Sequence, residues 1–487
     1  MVRVVVLGAG VAGHTAALHL RRLLGTRHKV TVVSPNSHWN WIPSNIWVGV
    51  GEMTKEQVVF PLAPIYAKKK IEFVQARAVA IHPNGTKEDP VGSVDVVSTE
   101  AGAQGQEQRI HYDFLINATG PKLKFEATEG LGPHGGHTVS VCTADHAVEA
   151  SRQLDATIAR LKSGQRQVLV VGTGHGTCTC EGAAFEYTFN VEHQLREAGV
   201  RDKAQLIYLT NEAQLGDFGV DGMAFKQKGF EQSSRMWTES LFTERGVHSI
   251  LGAHVSKIEP DTIHYETLDG KTWTQHFDFA MLLPPFGGAG LKAYDRDGSE
   301  ITDQLFAPSG FMKVDADYTV KPYEEWTAAD WPKTYEVPGF PRIFAAGIAF
   351  APPHQISRPR KTPNGTMIAP SPPRTGMPSG MMGKSVAQTI VDRIKRGPDA
   401  PAHEASMARI GAACVASSGT GMLKGSAAAM TMFPVVPNYQ KYPDSHGRNF
   451  NGTRGDIGLY GHWVKLMLHY LFIYKAKALP GWQLIPE

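Results

Sequence analysis

An α/β architecture is predicted for this 487-residue chain: two Rossmann-like dinucleotide-binding domains, the second inserted in the first, followed by a C-terminal amphipathic-helix region. Three observations carry the prediction. Val4-Val5-Val6-Leu7 runs into Gly8-Ala9-Gly10-Val11-Ala12-Gly13 and then a helical stretch from His14 to Leu24. Gln167-Val168-Leu169-Val170-Val171 runs into a second glycine turn, Gly172-Thr173-Gly174-His175-Gly176-Thr177. Far downstream, Arg342-Ile343-Phe344-Ala345-Ala346-Gly347-Ile348 reads as a strand that returns the chain to its first unit.

The first turn places bare backbone N–H groups at a helix N-terminus, where a pyrophosphate can sit. The next strand, Lys29-Val30-Thr31-Val32-Val33, ends at Ser34 rather than at the acidic residue that usually holds ribose hydroxyls; Ser34 can bond one more weakly. Asn40-Trp41-Ile42-Pro43-Ser44-Asn45-Ile46-Trp47 is a dense aromatic, turn-forming segment. Tyr112-Asp113-Phe114-Leu115-Ile116-Asn117-Ala118-Thr119-Gly120 is a buried strand ending in small residues, which lets backbone approach a cofactor, and with the first turn it favours a flavin contact. The second unit is less regular. Thr177 stands where a third glycine belongs, and Gln205-Leu206-Ile207-Tyr208-Leu209 leads to Thr210-Asn211 with no prompt acidic residue, so this unit is expected to hold a nicotinamide dinucleotide poorly. The stretch from Ala351 to Gly380, rich in Pro, Gly and Ser, reads as a long loop. The resulting division is 1–155 and 291–375 for the first unit, 156–290 for the second, and 376–487 for the C-terminal region.

In that last region Leu459 to Tyr474 is apolar on most faces, with His462, Lys465 and His469 in a narrow stripe at helical spacing. Trp463, Tyr470, Tyr474 and Trp482 suit a membrane–water interface, and Lys475 and Lys477 suit lipid headgroups. A helix in the core or in an oligomer interface is the alternative. Composition narrows the rest. The 49 basic and 46 acidic residues nearly balance, without a long basic run, which argues against nucleic acid as a partner. No stretch approaches the roughly 20 apolar residues of a membrane span, and the N-terminal apolar run lacks a small-residue cleavage site.

Four cysteines in so long a chain are too few for a disulfide scaffold. Cys142 precedes a helix start capped by Thr143, and Cys180 falls near the first turn of the helix after the second glycine turn; helix N-termini lower thiol pKa values. Cys414 follows small residues, and Cys178 sits two residues before Cys180. The Cys178-Thr179-Cys180 spacing is wrong for zinc, so no metal is expected. Burial as small core residues is the alternative; a redox disulfide beside a flavin is the better chemical reading.

Several segments resemble the sulfide:quinone oxidoreductase family, membrane-associated flavoproteins of the disulfide-reductase superfamily. They are Trp41 to Trp47, Ser140-Val141-Cys142-Thr143-Ala144-Asp145-His146-Ala147, Cys180-Glu181-Gly182-Ala183-Ala184-Phe185-Glu186-Tyr187, Leu282-Leu283-Pro284-Pro285-Phe286, Phe344-Ala345-Ala346-Gly347-Ile348-Ala349 and the tail around Trp463-Val464-Lys465. The resemblance implies that Cys180 and Cys414 form a redox pair against FAD, that sulfide attacks the sulfur bridge between them, and that the electrons reach a membrane quinone while polysulfide or sulfur is released. It implies a role for Cys142 in sulfide capture or product release, and acid–base roles for Glu186 and His146. The FAD contacts it implies are Gly8, Gly10, Ala12, Gly13, Ser34, Pro43, Ser44, Asn45, Val79, Ala118, Thr119, Gly120, Gly347 and Ile348. It also implies a peripheral (monotopic) protein of a prokaryotic cytoplasmic membrane, with a homo-oligomer among the assemblies it allows.

The chain departs from the family at Gly216-Asp217-Phe218-Gly219, where relatives carry a histidine, and at Pro378-Ser379-Gly380-Met381, which lacks the basic and aromatic residues of a Pro-Lys-Ser/Thr-Gly-Tyr run. Cys178 is extra and could replace Cys180 in the pair. Two other enzymes compete: a type II NADH:quinone oxidoreductase, against which Thr177 and Thr210 argue, and the flavoprotein subunit of a flavocytochrome c sulfide dehydrogenase, which normally carries an export signal. A flavin-bearing scaffold without turnover would need no cysteine pair.

Overall fold

The computed structural model describes residues 1–227, 229–374, 376–419, 422–423 and 425–487. The first unit opens with β1 (Arg3–Leu7), α1 (Val11–Leu24) and β2 (Lys29–Ser34), and continues with β3 (Glu72–His82), β4 (Ser93–Ser98), β5 (Glu107–His111) and β6 (Phe114–Asn117). Helix α2 (Ala144–Lys162) leads to β7 (Gln167–Thr173), α3 (Glu181–Glu197), β8 (Ala204–Leu209), β9 (Val247–Ile250) and β10 (Phe279–Leu283). The chain returns through β11 (Glu336–Val337), β12 (Phe340–Ala345) and α4 (Met377–Arg396). It closes with β13 (Ala412–Ser418), β14 (Ser426–Met432), β15 (Arg454–Gly458) and α5 (Leu459–Ala476).

The first sheet runs β11-β12-β6-β1-β2-β3-β4-β5, with Lys292–Ala293 pairing beside β3. Its central strands are parallel: Val5 faces Thr31 of β2 and Leu115 of β6, and Phe344 of β12 faces Ile116. Val4 to Leu7 are buried on both faces, as the uninterrupted apolar run requires of a central parallel strand. The second sheet, β9-β8-β7-β10, is all parallel and lies between the two parts of the first unit in sequence, which is the predicted insertion.

Two boundaries differ from expectation. Helix α1 begins at Val11, three residues before His14, because Gly8 at φ +95° reverses the chain at once and Gly10 already stands as N-cap. The 351–380 segment is more ordered than a plain loop. Arg360–Lys361 and Met367–Ile368 form a short antiparallel pair, and α4 already starts at Met377.

The C-terminal region is a three-stranded antiparallel sheet, β13-β14-β15, with Cys414 opposite Met430. Helix α5 covers this sheet with its polar stripe inward. His462, Lys465 and His469 are buried, while Tyr460, Trp463, Met467 and Tyr470 are exposed. Among the described residues no helix is long and apolar enough to cross a membrane. The placement of Lys475 and Trp482 at an interface is corrected. Both are buried, because Lys475 Nζ and His19 Nε2 each lie 2.8 Å from Glu487 Oε1, and Trp482 packs edge-on against His19. His14 Nε2–H donates to the Ala476 carbonyl (2.7 Å), and its Nδ1 meets the Tyr66 hydroxyl (2.8 Å), so α1 anchors the end of α5.

Candidate functional site

The first glycine turn fits the pyrophosphate of FAD. A Cβ on Gly8 would lie 2.1 Å from the Ala118 carbonyl oxygen, so the turn presses directly on the end of β6. At Gly10 nothing lies within 4 Å of such a Cβ. The α1 N-terminus has no side-chain cap and no acidic residue in its first turn. Open space at an uncapped, positively polarised helix end is what a bound diphosphate requires. Ala12 packs under Gly347 (φ +67°), and Gly13 sits over Gly8, so the three expected strand-end segments converge here. Thr119 Oγ1 donates to Asn117 Oδ1 (2.8 Å), which shapes the turn into Gly120. Val79 lies at the register shift of β3 between Ala78 and Ala80.

Three other expected contacts have partners inside the protein. The Ser34 hydroxyl is engaged with the backbone of Asn36 (3.2 and 3.3 Å). Ser44, beside Pro43, is buried with its hydroxyl 2.8 Å from His469 Nδ1, and the Asn45 amide donates to the Val141 carbonyl (3.2 Å), next to Cys142.

The cysteines are free thiols, and three of them gather at the start of α3. Cys180 is the N-cap of α3, held at φ +70°. Cys414, on β13, reaches the same turn: a Cβ on Gly182 would lie 2.8 Å from its Sγ. Cys142, just before α2, is close enough that its charge would disfavour the thiolates of Cys178 and Cys180. The extra Cys178 is fully buried and its Sγ points to the Leu283 carbonyl (3.0 Å), away from that turn.

The expected drop in thiol pKa is corrected. Burial pushes Cys142 up to about 11 and Cys180 and Cys414 to about 12, outweighing the helix end. His146 does not join the group: Thr143 caps its N–H (3.1 Å), and its Nε2 lies 3.2 Å from His134 Nε2.

Glu186 is buried one turn further along α3. Burial pushes its carboxyl up, and Lys465 opposes that shift from 3.0 Å. Its other oxygen accepts from the Ser417 N–H (3.3 Å), three residues after Cys414. The Ser417 carbonyl accepts from Trp47 Nε1 (3.2 Å) and Asn190 Nδ2 (2.7 Å), and its hydroxyl lies 2.5 Å from His462 Nδ1. One buried polar network therefore joins the cysteine strand to the inward face of α5.

Arg374 was not singled out in the sequence. It is buried, with its guanidinium 4.5 Å from the Phe311 ring centroid. It donates to the carbonyls of Ile348 (3.0 Å) and Phe350, and its charge favours the Cys180 thiolate. Burial lowers it to about 10. A cation thus bonds to the Gly347-Ile348 turn and bears on the Cys180 thiol. It lies just ahead of α4, while Pro378-Ser379-Gly380-Met381 lie within that helix.

The second glycine turn is filled by the protein's own groups. Asn211 Nδ2 donates to the carbonyls of Gly176 (3.3 Å) and Cys178 (3.2 Å). The 367–371 segment lies along the same turn, with Ala369 N–H on the Gly176 carbonyl (2.8 Å) and Ser371 N–H on that of Cys178 (2.9 Å). A nicotinamide dinucleotide would have to displace both.

A family model described as pyridine nucleotide-disulphide oxidoreductase matches residues 2–319. The chain is 29% identical over 475 residues to a sulfide-quinone reductase of Aquifex aeolicus (strain VF5), covering 97% of this chain and 91% of that protein. It is 23% identical over 287 residues to the mitochondrial sulfide:quinone oxidoreductase of Mus musculus, covering 58% and 56%. The X-ray structure of the sulfide:quinone oxidoreductase from Aquifex aeolicus superposes with a TM-score of 0.74 at 28% identity, covering 98% of this chain and 92% of that one.

Replacing Lys465 with Met leaves Glu186 buried without its counter-charge. The expected cost is about 3–5 kcal/mol of stability, read as a lower unfolding midpoint in urea, with much of it recovered in the Glu186→Gln/Lys465→Met double variant.

Proposed function

Because this chain belongs to the pyridine nucleotide-disulphide oxidoreductase family, we propose that it oxidises sulfide to polysulfide or elemental sulfur and passes the electrons to a membrane quinone. The protein is an FAD-dependent oxidoreductase. When bound at the first glycine turn, FAD supplies a two-electron acceptor that a quinone can reoxidise. Gly10 and the open end of α1 hold its diphosphate, and the Ala118-Thr119-Gly120 and Gly347-Ile348 turns bound its site.

The observation that carries the reading is the Cys414 sulfur seated on Gly182, in the first turn after Cys180. A sulfur bridge between these two cysteines is the group that hydrosulfide attacks. The attacking sulfur bonds to one cysteine as the bridge breaks, and a thiolate is left on the other. Arg374 favours that anion in a site where burial alone opposes it. Glu186, with Lys465, holds the backbone of the strand that carries Cys414. Cys142, at the edge of the same group, is placed to hand sulfur in or out. The filled second turn disfavours NADH as the donor.

The membrane is met through the outer face of α5. Its exposed Tyr460, Trp463, Met467 and Tyr470 continue into Met422, whose carbonyl accepts from Trp463 Nε1 (2.8 Å), and Leu423. An apolar, aromatic-rich face of this kind suits insertion into the headgroup region.

Anaerobic addition of sulfide is expected to bleach the flavin absorbance, and Cys414→Ser is expected to slow that step to below about a hundredth of the wild-type rate. Bleaching by NADH at a comparable rate would contradict the assignment. A Trp463→Asp/Tyr470→Asp variant should partition less to anionic liposomes while keeping sulfide-driven bleaching; an unchanged partition would return α5 to a packing role.

A further inference from the structure

Three carboxyl groups unused in the chemistry above lie in a row behind Cys180. Glu181, the next residue, is 0% exposed, and among the described residues neither of its oxygens has a hydrogen bond of full geometry, the Asn211 amide being the side-chain donor that bears on it. That amide donates to backbone carbonyls. Glu181 Oε2 faces the 216–222 turn, since a Cβ on Gly219 would come within 3.2 Å of it. That turn carries Asp217, 6% exposed, whose Oδ1 accepts from the Gly219 N–H (3.0 Å) and from the Ser357 hydroxyl. Glu212, 1% exposed, completes the row. Its Oε2 accepts from Tyr208 (2.9 Å) and Thr210 (2.9 Å), and its Oε1 accepts from the Phe218 N–H (2.8 Å).

Burial holds all three toward the protonated form, reinforced at Glu181 and Glu212 by the neighbouring carboxylates and at Asp217 by Asp221. Glu181 lies well above the carboxylate range, raised further by Glu212 and Asp217. Glu212 is pushed up to about 7 and Asp217 to about 6. At the inner end Glu181 follows Cys180 directly in the chain, and its charge bears on the Cys180 thiol. At the outer end Asp217 and Asp221 line a small surface pocket with Arg358 and Arg360, and Arg448 and Tyr323 also feel the charge of Asp217.

We propose that Glu181, Glu212 and Asp217 form the exit path for the proton released when hydrosulfide is oxidised at Cys180, opening to solvent beside Arg358 and Arg360. The inference rests on the function proposed above. Attack by hydrosulfide forms an S–S bond to the Cys180 sulfur and breaks the bond to Cys414, leaving Cys180–S–S–H and a Cys414 thiolate. For the bridge to re-form with one more sulfur, the S–H bond must break with its electron pair staying on sulfur. The two electrons released on closure go to the acceptor which that activity supplies. The proton passes to Glu181 as Glu181 gives its own to Glu212, Glu212 passes one to Asp217, and Asp217 releases it to water beside Arg358 and Arg360. This arrangement explains why a buried carboxyl is kept at the residue after Cys180.

The flavin-loaded protein and its Glu181→Gln and Asp217→Asn variants are mixed anaerobically with sulfide and a pH-indicator dye. In the wild type, dye and flavin signals are expected to move together. In each variant both should slow by about a hundredfold, with reoxidation by a soluble quinone unchanged. The infrared spectrum of the resting protein should lose one buried carboxylic-acid band in Glu181→Gln. Wild-type rates of proton release in both variants, or an unaltered infrared band, overturn the path. If Glu181→Gln fails to fold, Asp217→Asn at the outer end decides alone. Absence of bleaching in the wild type overturns the functional reading and the path with it, whereas normal bleaching in all three proteins overturns the path only.

Discussion

The contact between the Cys414 sulfur and Gly182 is the constraint on which the rest of this molecule turns. It joins a strand from the last quarter of the chain to the first turn of a helix from its middle. Any side chain at position 182 would occupy the space of the sulfur. Cys180 caps that helix in a left-handed conformation, which costs a non-glycine residue about 1 kcal/mol or more and persists only where the surroundings impose it. The surroundings here are extensive. The chain on one side of Cys180 is bonded to the 367–371 segment, and the helix on the other side packs against β13.

A second constraint follows from the polarity of the C-terminal helix. An ordinary surface helix turns its charged residues to water. Helix α5 does the reverse and commits Lys465 to Glu186 in the interior. A buried ion pair of this type contributes little net stability, because desolvation offsets the attraction, but losing one partner is costly. Its value is positional: it fixes the helix relative to Ser417, and through that strand relative to Cys414. The same choice leaves an aromatic face outside, so the face proposed to meet a lipid surface is rigidly referenced to the strand that carries Cys414.

Much of this was legible in the sequence. The two glycine turns, the return of the chain at Phe344 and the polar stripe of α5 were all readable from periodicity and turn residues. The convergence of Cys180 with Cys414 was not readable from spacing at all; 234 residues separate them, and only local resemblance pointed to it. Other features escaped for physical reasons. The direction in which a polar stripe faces depends on what lies beneath it, and nothing in the Leu459–Tyr474 run announces Glu186. Lys475 and Trp482 looked interfacial because their partners, Glu487 and His19, meet them only once the chain has folded back. Arg374 sat in a Pro-rich stretch that read as loop, yet its guanidinium is enclosed by rings and carbonyls drawn from several segments. The low thiol pKa values expected from helix ends also failed, because burial outweighs a dipole of partial charges.

Which sulfurs are joined decides how electrons enter the protein. Non-reducing peptide mapping of the oxidised protein, with free thiols alkylated first, tests it most directly. It should recover peptides containing Cys180 and Cys414 linked to one another, directly or through added sulfur atoms, with Cys178 unlinked. A Cys178–Cys180 link, or Cys414 found as an ordinary alkylated thiol in fully oxidised protein, would contradict it.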